Sequence, residues 1–293
     1  MVDDVADRSA VVSDGRTVAW TEYGPTDGTP LLRVPGTPGS RWSIRADRTP
    51  WAERGLRVLT TERPGYGAST RLPGRRFAEH SDDLAEILDL SGIDRAWVTG
   101  GSGAAPHILS FAARHPERVR AITILAGAAP LTDDLVGQMI EINQLSNRLC
   151  VERDVAGLAE LLGPYREGAL ADPLASFRGL MKEAPAEDQA IINDPGWQEV
   201  LVHSLREALG AGLEGWLDEC LAITNDWDEI VLSEVTASVT WWHSAEDRNA
   251  PLEAARTLVA QLPCARLNVL SGRGHFAAYH HEEQILDELL ARG

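Results

Sequence analysis

The sequence predicts an α/β protein built on a mostly parallel sheet, and three observations predict it. Short apolar runs of strand length alternate with helical patterns over residues 30–125, and the same rhythm returns over residues 238–290. Between them lies a long stretch of helical pattern with no convincing buried strand. Strands alternating with helices of this length mark right-handed crossovers between parallel strands.

Taken in order, two short alternating segments at 10–13 and 17–22 flank Asp14-Gly15, a dipeptide that favours a tight hairpin turn. Apolar runs at 30–34, 56–61, 96–99 and 119–125 are each bounded by Gly, Pro or charge and are expected as buried parallel strands. Helices are expected between them at 40–54, at 77–90 with Leu84, Ile87 and Leu88 on one face, and at 104–114. Near the end come a strand at 238–242, a helix at 252–262, a strand at 267–270 and a closing helix at 282–290. The alternation breaks over about 131–234, where amphipathic stretches such as 134–149 and 197–209 dominate. Pro164, Pro173, Pro185 and Pro195 punctuate it, so several short helices are expected there.

Composition narrows the function. With 44% hydrophobic and 24% charged residues among 293, the chain has ample material for a core, and its length fits one large domain or two small ones. The formal net charge of -17 disfavours nucleic acid and anionic membrane surfaces, which need clustered Lys and Arg, and favours a small-molecule substrate. Lys182 is the sole lysine and no GK[ST] occurs, which excludes a phosphate-binding P-loop. The opening MVDDVADRSA has acid where a signal peptide needs basic and then apolar residues, and no apolar run is long enough to insert in a membrane. Cys150, Cys220 and Cys264 are scattered, with no CxxC, so three buried thiols in a reducing cytoplasm are expected, with neither a disulfide framework nor a zinc site. No cofactor or metal is called for, and a homodimer is compatible with the sequence.

The stretch from Ala96 to Pro106 reads strand, glycine turn, helix, with Gly100, Ser102 and Ala104 matching GxSxG in its first two fixed positions and carrying alanine at the last. Small residues are needed there because such a turn is strained and its helix packs closely on the strand, holding the serine exposed at the strand end. A plain glycine-rich turn would share the pattern. A dinucleotide fingerprint would need GxGxxG and an acid ending the next strand, but Gly101 and Gly103 are followed by Pro106 and the strand over 121–125 ends without an acid. A serine hydroxyl is a weak nucleophile near neutral pH, so a base must take its proton and a carboxylate must orient that base. Asp247 follows the strand at 238–242 and His275 follows the strand at 267–270, giving the order Ser, Asp, His. Glu246 is the second choice for the acid. His80, His107, His115 and His203 lie on expected helices and are assigned to packing or surface, and His280 and His281 open the last helix.

These features together resemble the α/β-hydrolase family over nearly the whole chain. Asp247 to Pro251 matches the family's DxxxP stretch and Gly272 to His275 its GxGH stretch, which supply acid and base there. The resemblance implies an α/β-hydrolase fold, a mostly parallel eight-stranded sheet flanked by helices, with a helical cap inserted after the sixth strand. The core would be residues 1–130 and 236–293 and the cap 131–235. It also implies an oxyanion hole. Two backbone N–H groups would supply it, Gly103 after the nucleophile and Thr37 in the loop from Pro35 to Ser40, which is similar to the family's HGxP loop with Pro35 in place of its histidine. The stretch from Glu62 to Ser69 looks like the family's DxRGxGxS turn, with a structural role.

The function expected is a serine hydrolase that cleaves a carboxylic ester or lactone of a small, largely apolar substrate through an acyl-enzyme on Ser102. Serine in the turn argues against the dehalogenase and epoxide hydrolase branches, which use aspartate there. A proline iminopeptidase-like aminopeptidase or amidase is the enzyme alternative, with Glu183, Glu187 and Asp188 available to hold an amino group. A non-catalytic ligand-binding member of the fold is the alternative from another class. Trp197, Trp216, Trp227, Leu180 and Met181 are candidates to line an apolar pocket.

Overall fold

The structure is a computed structural model that describes residues 5–182, 184–271 and 274–292. Strands β1 (Val5–Val11) and β2 (Thr17–Tyr23) form the antiparallel hairpin, closed at Gly15 with φ +87°, a left-handed conformation that glycine adopts without strain. β3 (Thr29–Val34), the short helix α1 (Thr49–Glu53), β4 (Leu56–Thr61), α2 (Phe77–Leu90), β5 (Ala96–Gly101), α3 (Ala104–Arg114) and β6 (Val119–Leu125) follow. After the sixth strand come α4 (Asp133–Val136), α5 (Glu141–Glu152), α6 (Val155–Ala171), α7 (Pro173–Leu180), α8 (Ala186–Asn193), α9 (Pro195–Gly210) and α10 (Glu214–Asn225). β7 (Ser238–Ser244), α11 (Leu252–Val259), β8 (Ala265–Leu270) and α12 (Glu282–Leu290) complete the chain. The eight strands form one sheet in the order β1-β2-β4-β3-β5-β6-β7-β8, parallel from β4 through β8. This is the α/β-hydrolase fold that the sequence predicts.

Parallel strands need cover on both faces. On one face Leu32, Val34 and Val98 pack with Leu84, Ile87 and Leu88 of α2 and with Ile108 and Leu109 of α3. On the other, Leu31, Val58 and Ala121 pack with Trp51 of α1 and with Leu286 and Leu289 of α12. Alternation of side chains along β3, Leu31 one way and Leu32 the other, assigns each helix its side.

Three expectations differ. Over 40–54 a helix forms only at Thr49–Glu53, because the preceding residues have tertiary partners that a helix would break. Arg41 bonds Asp7, Glu62 and Glu207, and the Ser40 amide and Ser43 hydroxyl both bond Ser204. Pro164 lies inside α6 and does not end it, whereas Pro173 and Pro195 sit in the first turn of their helices, where the missing N–H costs nothing. Of the three thiols, Cys150 is buried and Cys220 half-buried, but Cys264 is exposed in the turn before β8. No described helix is long and apolar enough to cross a membrane.

Candidate active site

Ser102 sits between β5 and α3 with φ +55°, a left-handed conformation unusual for a non-glycine residue. Its amide donates to Leu125 O at 3.0 Å, and its carbonyl accepts from Ala128 N at 2.9 Å and Ala105 N at 3.1 Å, so the turn is held on three sides by backbone. The small residues around it are required. A Cβ on Gly100 would lie 2.5 Å from Val34 O and 2.8 Å from the Ala104 methyl. The methyl of Ala104 fills the space that glycine in the family pattern leaves open. A Cβ on Gly103 would lie 2.2 Å from Thr37 Oγ1, so the Thr37 side chain packs directly against Gly103. Neither the Thr37 nor the Gly103 amide donates a hydrogen bond to another group among the described residues.

His275 and Asp247 meet as expected, His275 Nδ1 lying 2.7 Å from Asp247 Oδ2. Asp247 Oδ1 accepts from the amides of Asn249 at 2.8 Å and Ala250 at 3.0 Å. Burial alone would raise the Asp247 carboxyl. The His275 ring, then His243 and the Ala250 amide, overcome it and hold the carboxyl below the ordinary carboxylate range. Burial likewise works against a charged His275, but the adjacent Asp247 carboxylate holds the ring above the ordinary imidazole range. Glu246 is exposed and is not the partner of the ring.

His243, which sequence reasoning did not single out, stands behind Asp247. Its Nε2 lies 2.7 Å from Ala250 O, and its Nδ1 accepts from Trp241 Nε1 at 3.1 Å. A ring with one donor and one acceptor nitrogen so engaged is the neutral tautomer, and burial lowers its pKa accordingly.

How the oxyanion loop is held, with Pro35 in place of the family's histidine, has a clear answer. Arg63, fully buried, donates to Pro35 O at 2.5 Å, to Gly36 O at 2.6 Å and to Thr37 Oγ1 at 3.2 Å. The turn at 62–69 thus does more than shape the chain, because it carries the arginine that ties down three successive residues of the loop. Arg63 is in turn paired with Glu219 of α10 at 3.2 Å; that carboxylate also bonds Arg75, the Thr37 hydroxyl at 3.1 Å and His107 at 2.9 Å. Burial would raise the Glu219 carboxyl, but Arg63, His107 and Arg75 hold it well below the ordinary range. Because Glu219 Oε1 accepts from His107 Nε2, His107 Nδ1 is left to accept from His80 Nδ1 at 3.0 Å. These two histidines are therefore packing residues, as expected, but in a polar chain under the site. His203 stacks on Trp42 and His115 pairs with Asp82.

Of the three carboxylates considered for an amino group, Asp188 is engaged by backbone. Asp188 of α8 accepts from the amides of His275 at 2.8 Å and Phe276 at 2.7 Å, and it packs where a Cβ on Gly274 would lie, at 2.4 Å. Burial pushes its carboxyl up while those two amides act against the rise. Glu187 is half-buried, and Glu183 lies outside the described residues, as do Gly272 and Arg273 of the GxGH stretch.

A cavity of about 470 Å³ lies between α4–α10 and the strand ends. Thr37, Ser102, Gly103 and His275 all line it, while Asp247 sits behind His275. The position, outside the carboxyl ends of parallel strands, is the usual ligand crevice of an α/β sheet. Trp197, Trp216 and Met181 line it as expected; Trp227 does not, packing edge-on against Phe77, and the side chain of Leu180 is outside the described residues. Phe177, Phe276 and Tyr279 add an aromatic wall, with Trp197 edge-on to Tyr279 at 4.9 Å. No group of three His, Cys, Asp or Glu able to hold a metal occurs among the described residues.

Comparison with known proteins agrees with this architecture. A family model described as alpha/beta hydrolase fold matches residues 29–282. A 2-hydroxy-6-oxononadienedioate/2-hydroxy-6-oxononatrienedioate hydrolase of Paraburkholderia phymatum is 26% identical over 89% of this chain and 84% of its own. A pimeloyl-[acyl-carrier protein] methyl ester esterase of Aromatoleum aromaticum is 29% identical over 84% of this chain and 91% of its own. The crystal structure of a hydrolase from Pseudomonas aeruginosa superposes with a TM-score of 0.69 at 18% identity, covering 97% of this chain and 98% of the other. The chain belongs to the alpha/beta hydrolase fold family and is a hydrolase.

Proposed function

We propose that this protein is a serine hydrolase that cleaves a carboxylic ester or lactone through an acyl-enzyme on Ser102. The observation that carries the reading is the placement of Ser102, the His275–Asp247 pair and the Thr37 and Gly103 amides around one cavity. Ser102 Oγ attacks the carbonyl carbon while His275 Nε2 takes its proton, and the carbonyl oxygen, now anionic, receives the two amides. The intermediate collapses as His275 returns the proton to the departing alkoxide, leaving the acyl group on Ser102. Water, deprotonated by His275, then attacks the acyl carbon, and the free acid leaves as Ser102 regains its proton. The helices over 131–235 act as a cap that forms the upper wall, and the core comprises residues 1–130 and 236–293. Asp247 keeps His275 in the tautomer with a free Nε2.

A second reading has its own support. The relative from Paraburkholderia phymatum is named for hydrolysis of 6-oxo dioates, and hydrolysing a ketone breaks a carbon–carbon bond. For the aminopeptidase reading, Asp188 is already engaged by two backbone amides, which leaves Glu183 and Glu187 as its candidate carboxylates. Turnover should be compared across p-nitrophenyl esters, lactones, 6-oxo-dienoate ketones and a proline amide, with wild type and Ser102→Ala. Ester or lactone hydrolysis that falls about 10⁶-fold in the variant is expected, the loss seen when a triad acts as a unit. Turnover confined to the ketone would replace the ester reading, and undiminished ester turnover in the variant would remove the mechanism.

A further inference from the structure

Arg33, at the carboxyl end of β3, lines the Ser102 cavity but plays no part in the chemistry above. Its guanidinium stacks over Trp51 at 5.0 Å and donates one hydrogen bond, from Nη1 to Ser43 O at 2.8 Å. Among the described residues no Asp or Glu forms an ion pair with it; Glu282, the carboxylate whose charge acts on it, pairs with Arg45. This contrasts with Arg63 and Arg75, which are neutralised by Glu219, and with Arg41, which has three carboxylates. Nor are the remaining Arg33 nitrogens sealed in protein, unlike Arg63 Nε and Arg75 Nη1. With Arg33 among the residues that line the cavity, these are the donors it can offer a ligand there. In a chain of net charge -17, Arg33 is, among the described residues, the one arginine on this cavity wall, no lysine joins it, and Asp133 is the one carboxylate.

A half-buried guanidinium with four free N–H groups has lost much of its hydration without gaining a counterion, which is costly unless a ligand supplies one. The fork matches a carboxylate. Tyr279 stands beside it: the two groups feel each other's charge, and its hydroxyl lies 3.2 Å from where a Cβ on Gly101, next to Ser102, would be. Arg33 is in register with Thr99 of β5, three residues before Ser102, a separation of about 10 Å along the strand at roughly 3.3 Å per residue.

We infer that the cavity contains an anion subsite at Arg33, and that the substrate presents a carboxylate there, separated by a short chain from the carbonyl that Ser102 attacks. This rests on the reading of Ser102 as the nucleophile and changes the expected substrate from a largely apolar one to a short acid ester. The test compares p-nitrophenyl half-esters of short linear dicarboxylic acids with p-nitrophenyl esters of monocarboxylic acids of equal length. Wild type is expected to favour the charged ester in kcat/KM. Arg33→Met, which keeps the packing on Trp51, should lower that preference by about tenfold to a hundredfold, the range of a charge-assisted hydrogen bond. An unchanged preference in a folded Arg33→Met overturns the subsite. Independently of any variant, glutarate should raise the melting temperature of wild type and glutaramide should not; equal effects also overturn it. If no ester is turned over yet glutarate binding is lost in Arg33→Met, the subsite stands and the nucleophile reading falls.

Discussion

The His275 ring must be neutral at Nε2 to accept a proton from Ser102, and Asp247 holds that ring's pKa above the ordinary value of about 6.5. The sign of the pH dependence follows. The imidazolium persists to higher pH than in a free histidine, so kcat/KM climbs along an acid limb whose midpoint lies above that value. Asp247→Asn removes the carboxylate that stabilises the charged ring, and the limb moves to lower pH while kcat falls about 10⁴-fold for loss of the correct tautomer. A pH–rate profile of both proteins checks this, and an unmoved limb would contradict the assignment of Asp247. The three positions proposed for the triad can be picked out in the sequence because each stands just after a strand whose apolar run is plain. Arg63 was not, because two of its partners in the loop are backbone carbonyls 27 and 28 residues away, and carbonyls leave no mark in residue identity.

Among the elements, α8 has an effect on the site out of proportion to its size. Through Asp188 it satisfies two amides of the loop that carries His275, one of them that of His275 itself. Asp188→Ala leaves both donors unpaired at a buried seam, at about 1–3 kcal/mol each. It also frees the loop, and a displacement of about 1 Å can cost a hundredfold in rate. The expected outcome is a kcat reduced about a hundredfold with KM little changed, together with a lower Tm. A change in KM alone would instead place Asp188 in substrate binding. Sequence reasoning saw Asp188 as one of several helix-surface acids, since spacing within α8 cannot show that its face meets the β8–α12 loop. Where elements were bounded by strong local signals, as α2 and α3 were, their limits matched; over 40–54 the side-chain bonds of Ser40, Arg41 and Ser43 overrode a helical pattern.

Over the whole molecule, the buried network around Glu219 joins the two parts that the sequence distinguishes. Glu219 comes from α10 of the inserted helices, while Arg63, Arg75, His107 and Thr37 belong to the segments that build the sheet and its flanking layers. The inserted helices are thus fastened directly to the loop from Pro35 to Thr37 through Glu219, Thr37 and Arg63. The net charge pointed to a small-molecule substrate and the strand-helix rhythm to a mostly parallel α/β core, but neither pointed to this junction, since buried charges pair across distances in sequence that no motif spans. The most direct measurement of the central claim is mass spectrometry of the protein after reaction with a fluorophosphonate. The predicted result is a single covalent adduct on the peptide containing Ser102, absent in Ser102→Ala and strongly slowed in His275→Ala. A folded wild-type protein that stays unlabelled, or an adduct on another residue, would contradict Ser102 as the nucleophile.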